Sequence, residues 1–96
     1  MGLRERYDFD SLVNEAERLV LAELEAQIGK TQGLCTCQDC VLDMAAYALN
    51  KVRPAYRVSL MGSMYANAPR QAEQAREIVK AVKEAIAKVK ANPSHD

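Results

Sequence analysis

The sequence predicts an all-α fold, a compact domain of three to four helices that forms an intertwined or tightly packed homodimer. In two long segments apolar residues recur at three- and four-residue steps, which is the period of an amphipathic helix. A third segment is apolar on nearly every side, and a 96-residue monomer can hardly cover such a helix alone. We treat residues 1–96 as one domain and expect the tail, residues 91–96, to be disordered.

The first amphipathic helix is expected to begin at Asp10 or Ser11, since either residue can cap an N-terminus, and to end at Gly29. The chain has no tryptophan and one phenylalanine, so the core must be built from Leu, Val, Ile, Ala and Met. The stripe that this helix contributes to the core is Leu12, Ala16, Leu19, Val20, Leu24 and Ile28.

The second helix is expected to start at about Cys37, because Thr36 and Asp39 have the spacing of a capping box. It should stop at Arg53, because Pro54 disfavours helical geometry at the residue before it. Between these ends the apolar residues are Val41, Leu42, Met44, Ala45, Ala46, Tyr47, Ala48, Leu49 and Val52. We therefore predict a homodimer with this helix near its centre.

After Pro54 a short extended stretch is predicted, since Tyr56, Val58 and Leu60 alternate with polar residues. Residues 59–67 can hold a helical turn, and the last helix is expected to begin at Pro69. The apolar stripe of this helix is Ala75, Ile78, Val79, Val82, Ile86 and Val89. Opposite this stripe lie four lysines: Lys80, Lys83, Lys88 and Lys90.

The formal net charge is zero, but the two halves of the chain differ in sign. Residues 1–50 carry nine acidic and four basic side chains, and residues 51–96 carry the reverse. This division fits antiparallel pairing of the halves, within or between chains, and an anion-binding region in the second half. It does not fit general nucleic-acid binding, which uses a broad excess of positive charge.

Membrane insertion and export are not expected, because the N-terminus is charged and no stretch reaches the roughly 20 apolar residues of a span. We therefore expect a cytoplasmic protein, whose thiols normally stay reduced. A structural disulfide is then the weaker explanation of the cysteines.

Cys35, Cys37 and Cys40 combine a C-x-C with a C-x-x-C at the start of the second helix. This spacing brings the sulfurs to one side of the first turn, and three thiolates favour zinc. The fourth ligand is open: Asp39, Asp43, a water or a residue of a partner chain. The alternative is a trio of free thiols that forms an exchangeable disulfide on oxidation. A catalytic thiol is not expected, because the single histidine, in the tail, does not lie where it can act as base.

Polar residues gather at the far end of the second helix. Asp43, Tyr47 and Asn50 are spaced four and three apart and share one face. One interpretation is structural: Asp43 pairs with a lysine or arginine of the last helix, and Asn50 caps the end of the second helix. The other interpretation is a nucleotide site formed by Asp43, Tyr47, Asn50, Arg53, Tyr56, Arg57 and Tyr65, in which arginines bind phosphate or guanine, a tyrosine stacks, and Asp43 or Asn50 accepts a base N–H.

The segment "CQDCVLDMAAYALNKVRPAY" resembles the signature of the late competence development ComFB family, in which cysteines precede a D-x-x-A-x-A-L-N-x-L-P-P-x-Y-like run. The outer helices, "VNEAERLVLAEL" and "QAEQAREIVKAVKEAIAKV", extend the resemblance from about Tyr7 to Val89. This chain departs from the pattern at Val52-Arg53, where the family often has Leu-Pro.

The resemblance implies a helical, cytoplasmic homodimer with zinc on Cys35, Cys37 and Cys40. Some members of the family are receptors for cyclic di-GMP, in some cases for cyclic di-AMP, and are linked to motility, competence or cell size. We therefore expect a non-enzymatic receptor that acts through an unidentified protein partner. The alternative is a zinc-stapled adaptor without a nucleotide ligand. An enzyme is not expected, since no nucleophile–base pair, evident carboxylate pair or phosphate-cradling loop is present.

Overall fold

The computed structural model describes residues 2–58 and 71–93, without the side chain of Gln71. Its elements in chain order are α1 (Leu3–Arg6), a 3₁₀ turn (Phe9–Ser11), β1 (Val13–Asn14), α2 (Glu15–Ile28), α3 (Gln38–Lys51), β2 (Tyr56–Arg57) and α4 (Gln71–Ala91). The fold is mostly helical, as predicted, and a two-stranded ribbon corrects the expectation of an all-α chain. Our predictions for residues 59–67, Tyr65, Pro69 and the end of the tail lie outside the described residues.

The helix α2 begins later than predicted, at Glu15 rather than near Asp10. Asp10 belongs instead to the 3₁₀ turn, where its N–H donates to Oδ1 of Asp8 at 3.1 Å. The residue that caps α2 is Asn14, whose Oδ1 accepts the N–H of Ala16 at 3.2 Å. The predicted end is confirmed, because Gly29 is the C-terminal cap.

The ribbon ties the segment after α3 to the start of α2. The antiparallel strands pair Val13 with Arg57 and Asn14 with Tyr56. The N–H of Glu15 donates to the carbonyl oxygen of Ala55 at 2.8 Å, and the N–H of Ala55 donates to Oδ1 of Asn14, also at 2.8 Å. Asn14 therefore caps α2 and holds Ala55 with the same side-chain oxygen.

The core lies between α2, α3 and α4, and each of these helices contributes one apolar face. Its buried hydrophobic members are Ala16, Val20, Leu24, Cys40, Met44, Ala45, Ala48, Val52, Ile78, Ala81, Val82, Ala85, Ile86 and Val89. The predicted stripes are thus largely confirmed. Leu12, Ala75 and Val79 are exposed instead, Leu12 because it precedes α2 and the other two because they lie at the edge of the buried face of α4.

The helix α3 is covered on one side only. Met44 is fully buried, whereas Leu42 is 57% exposed and Ala46 is also exposed. The helix ends at Lys51, two residues before the predicted Arg53, and Val52 at its cap is already extended. The second helix of the prediction is therefore not enclosed by the elements that the structure describes.

The chain is more extended than the compact domain that we predicted. The Cα radius of gyration is 15.5 Å, with extents of 43 × 38 × 18 Å. A compact chain of this length would have a radius of gyration of about 12.5 Å. Among the described helices, none is both long enough and apolar enough to cross a membrane.

Candidate metal centre and ligand groove

The three cysteines converge where the loop after α2 enters α3. Gly33 turns this loop with a φ of 72°, a left-handed conformation that glycine adopts without strain. Cys37 is the N-terminal cap residue of α3, and its carbonyl oxygen accepts the N–H of Val41 at 3.0 Å. The Sγ atoms of Cys35, Cys37 and Cys40 all lie within 4.8 Å of one another. The spacing argument from the sequence therefore describes a real cluster.

Burial differs sharply among the three thiols: Cys37 is exposed, Cys35 is half-buried and Cys40 is fully buried in the core. The pKa of Cys35 lies below its ordinary value, chiefly because the backbone of Cys37 hydrogen-bonds to it. The thiols of Cys37 and Cys40 lower this pKa further, and burial opposes them. At Cys35 the neighbouring groups thus favour the thiolate, which is the form that binds metals.

The donor set fits zinc. In a tetrahedral site with Zn–S bonds of about 2.3 Å, the sulfur atoms are about 3.8 Å apart. The observed separations, all within 4.8 Å, require only a small contraction. Within residues 2–58 and 71–93 the cluster has no fourth His, Cys, Asp or Glu member, so neither Asp39 nor Asp43 belongs to it.

A groove opens between α3 and the C-terminal half of α4. It has a volume of about 620 Å³, and its polar lining residues are Asp43, Tyr47, Glu84, Lys88 and Asn92. The ammonium group of Lys51 lies 5.6 Å from the centre of the Tyr47 ring. The groove brings together two of the predicted ligand residues and adds Glu84 and Lys88 from α4 and Asn92 just after it.

Sequence reasoning missed these three residues because they lie about 40 positions further along the chain. Lys88 was assigned only to the polar face of the last helix. Its position between Glu84 and Asn92, one turn away on each side, was the available signal, because residues four apart share a helix face. Nothing in the spacing, however, indicated that this part of α4 packs beside Asp43.

Arg53 is held by the first turns of α4. Its Nη2 donates to Oε1 of Glu73 and to Oε2 of Glu77, both at 3.2 Å, and its backbone N–H donates to Oε1 of Glu77 at 2.7 Å. The Glu77 hydrogen bond is the main reason why the pKa of Arg53 is raised, and Glu73 adds to it. The side chain of Arg53 is 58% exposed.

Arg57 and Tyr56 lie in the ribbon and face different surroundings. Nε of Arg57 donates to Oε2 of Glu15 at 2.8 Å, and Arg18 forms an ion pair with the same carboxylate. The hydrogen bond from Arg18 is the largest cause of a lowered pKa of Glu15, burial opposes it, and Arg57 lowers this pKa further. Tyr56 is 64% exposed and lines a second groove, of about 450 Å³, beside α2.

The structure thus distributes the predicted ligand residues over three places. Asp43 and Tyr47 line the groove between α3 and α4, Arg53 lies against the start of α4, and Tyr56 and Arg57 belong to the ribbon. Asn50 is exposed near the end of α3, and Tyr65 is outside the described residues. Binding by these residues stays a prediction.

Comparisons with known proteins agree with the resemblance seen in the sequence. Residues 13–93 match the family model described as late competence development protein ComFB. A solved structure, that of the late competence protein ComFB from Bacillus subtilis, superposes with a TM-score of 0.69 at 31% sequence identity. The alignment covers 86% of this chain and 92% of that one. No curated protein sequence matches the chain.

Proposed function

The chain belongs to the late competence development protein ComFB family, and from this premise we propose that it is a non-enzymatic signalling protein of the cytoplasm. In this proposal a homodimer binds a cyclic dinucleotide, with zinc on Cys35, Cys37 and Cys40 as a structural element. The supporting observation for the nucleotide is the groove between α3 and α4, where an aromatic ring, carboxylates and a lysine meet.

The groove offers a separate contact to each part of a purine nucleotide. Tyr47 supplies a ring on which a base can stack, and Lys88 supplies a cation for a phosphate. Asp43 and Glu84 can accept the adjacent N–H groups on the Watson–Crick edge of guanine. Adenine has one donor group on this edge, so the lining favours cyclic di-GMP over cyclic di-AMP. The volume of about 620 Å³ is within the range of small-molecule sites.

We propose that Arg53 and Arg57 contact the nucleotide only after it has bound in the groove. Arg53 and Arg57 already pair with glutamates, so each must exchange a carboxylate for a phosphate before it can contact the ligand. Such an exchange would loosen the start of α4 or the ribbon. We propose that nucleotide binding in this way changes which protein partner the dimer engages.

Calorimetric titration of cyclic di-GMP into the purified protein tests the nucleotide proposal, with cyclic di-AMP and GTP as controls. Saturable binding of cyclic di-GMP is expected, with no binding of GTP. Asp43→Asn and Lys88→Ala should each weaken binding about tenfold, the effect of losing one interaction of about 1.4 kcal/mol. Lys80→Ala removes an exposed lysine of the same helix outside the groove and should change nothing. No heat from the folded wild type would reject the receptor.

The dimer proposal rests on the uncovered side of α3. Leu42 and Ala46 are exposed one turn apart on that side. A second copy that packs there would place α3 near the dimer centre, as the sequence predicts. Leu42→Glu should convert the dimer to monomer in sedimentation equilibrium, whereas Leu21→Glu, on the exposed face of α2, should not. If Leu21→Glu gave a monomer and Leu42→Glu did not, the dimer interface would lie on α2.

The cysteine cluster favours a second candidate, a zinc-stapled adaptor without a nucleotide. Here the metal holds the loop after α2 onto α3, and the dimer surface alone binds a component of the competence or motility machinery. Removal of zinc by a chelator should lower the melting temperature in both candidates, because the metal binds only the folded site. Cyclic dinucleotides should raise the melting temperature only in the receptor. A chelator without effect on melting would reject the structural metal.

A further inference from the structure

We propose that Cys37 is a site of reversible oxidation by hydroperoxides, and that Cys40 is the thiol that converts the oxidised Cys37 into a disulfide. Nothing in the proposed function requires this modification. Only its consequence for metal binding rests on the proposed zinc site. The inference comes from the exposure and the helical positions of the two cysteines.

Exposure determines which thiol meets the oxidant. Cys37 is exposed at the N-terminal cap of α3, whereas Cys40 has no exposed surface and Cys35 is half-buried. A dissolved peroxide therefore reaches Cys37 first. Reversibly oxidised cysteines have thiolate character, are solvent-accessible and often lie beside a resolving cysteine. Cys37 meets the conditions of access and of a neighbouring thiol. Cys40 is protected from the oxidant by the core and can react only with a neighbouring sulfur.

Helical position determines which neighbour resolves the oxidised thiol. Cys37 is the N-terminal cap residue of α3, and Cys40 lies in its first turn, three residues further along the chain. Helix geometry places Cα atoms three residues apart at about 5 Å, and disulfides bridge Cα atoms that are about 4.4–6.8 Å apart. The Sγ atoms begin within 4.8 Å of each other. A Cys35–Cys37 bridge would enclose only Thr36 and would strain the loop.

The chemistry balances with hydrogen peroxide as the oxidant. The thiolate of Cys37 attacks one peroxide oxygen, so that an S–O bond forms, the O–O bond breaks and hydroxide leaves. The thiolate of Cys40 then attacks the sulfur of Cys37, so that the S–S bond forms and the S–O bond breaks. The two hydroxides take up the two protons that the thiols released when they ionised. Two thiols are oxidised by two electrons, and the peroxide is reduced to two molecules of water.

Oxidation removes two of the three sulfur donors from the cluster. Cys35 alone cannot hold a zinc ion that needs four ligands. Because Cys40 belongs to the core and Cys35 packs against it, the change also reaches the contact between the loop and α3. Peroxide would thus release the metal and free the loop, and a thiol reductant would restore both.

The experiment treats the reduced 96-residue chain with hydrogen peroxide, with and without added zinc. Peptide mass mapping should show one Cys37–Cys40 disulfide, and a chromogenic chelator should show one zinc released for each disulfide formed. Dithiothreitol should reverse both changes. Cys35→Ser should still form the disulfide. Cys40→Ser should leave a sulfenic acid on Cys37 that dimedone labels.

Cys37→Ser, which alters an exposed side chain, is the matched variant that should form no disulfide and should oxidise far more slowly. A disulfide that includes Cys35, or an unmodified Cys37 in the oxidised wild type, would overturn the proposal. The zinc-free sample tests the oxidation of Cys37 independently of the proposed zinc site. If the reduced chain binds no zinc, the metal site fails, but the disulfide map still decides the role of Cys37.

Discussion

Nε of Arg57 donates to Oε2 of Glu15 at 2.8 Å, across 42 positions of the chain. Glu15 is the first residue of α2, and Arg57 is the last residue of β2. Both side chains are largely shielded, with 11% of Glu15 and 20% of Arg57 exposed. The ion pair therefore joins the segment after α3 to α2 at the point where the ribbon forms.

Glu15→Gln is expected to destabilise the fold by about 1–3 kcal/mol, because Arg57 would keep its charge in a shielded place without a carboxylate. Urea unfolding measures the change. Glu17→Gln, an exposed acid two positions along the same helix, is the control and should change stability by less than about 0.5 kcal/mol. Equal effects of the two substitutions would show that the Glu15 pair does not stabilise the fold.

The same carboxylate makes the stability depend on pH. The pKa of Glu15 is lower in the folded chain than its ordinary value of 4.5, chiefly because of Arg18. Its stabilisation is therefore complete above about pH 4.5 and is lost as pH falls through the lower folded pKa. Unfolding free energies measured from pH 7 to pH 2 should fall less steeply for Glu15→Gln than for the wild type. Parallel curves would contradict this assignment.

The start of α2 shows what limits prediction from this sequence. Asp10, Ser11 and Asn14 are all good cap residues, so local preference did not distinguish them. Asn14 is selected by a tertiary contact, because its Oδ1 also binds the N–H of Ala55. By contrast, the end at Gly29 depends on local chemistry and was predicted correctly. The start of α3 was predicted to within one residue, but the expected capping box of Thr36 and Asp39 was wrong, because the cap residue is Cys37 and it makes no side-chain cap hydrogen bond.

The candidate sites show the same difference between features set by local sequence and features set by tertiary contacts. The cysteine cluster was predictable because its members lie within six positions of one loop and helix start. The groove was only half predictable, because Glu84 and Lys88 reach Asp43 through the packing of α4 on α3. The glutamate partners of Arg53 and Arg57 were likewise hidden, since each lies 20 or more positions away.

Glu77 should matter more for stability than Glu73, although both bind the guanidinium of Arg53. Glu77 also accepts the backbone N–H of Arg53 just after α3, and its side chain is 26% exposed against 62% for Glu73. Glu77→Ala is expected to cost about 1–2 kcal/mol, and Glu73→Ala less than about 0.5 kcal/mol. Thermal unfolding at low and high salt distinguishes the two contributions. Salt should strongly screen only the ion pair between Arg53 and the exposed Glu73. A larger loss for Glu73→Ala would contradict the assignment.

Gly33 and Gly29 offer a matched test of the loop that carries the cysteines. Gly33 has a φ of 72°, so Gly33→Ala places a side chain in a strained conformation and should cost about 1–2 kcal/mol. Gly29 has a φ of −63°, and an added Cβ there would meet only ordinary contacts, so Gly29→Ala should be neutral or slightly stabilising.

Urea unfolding of both variants, with and without zinc, measures these effects. Because Gly33 lies two residues before Cys35, the strain should also weaken zinc binding in a competition titration with a chromogenic chelator. Gly29→Ala should bind zinc like the wild type. If Gly33→Ala lost stability but kept the wild-type zinc affinity, the loop would not position Cys35 for the metal. If Gly33→Ala kept both its stability and its zinc affinity, the left-handed conformation assigned to Gly33 would be wrong.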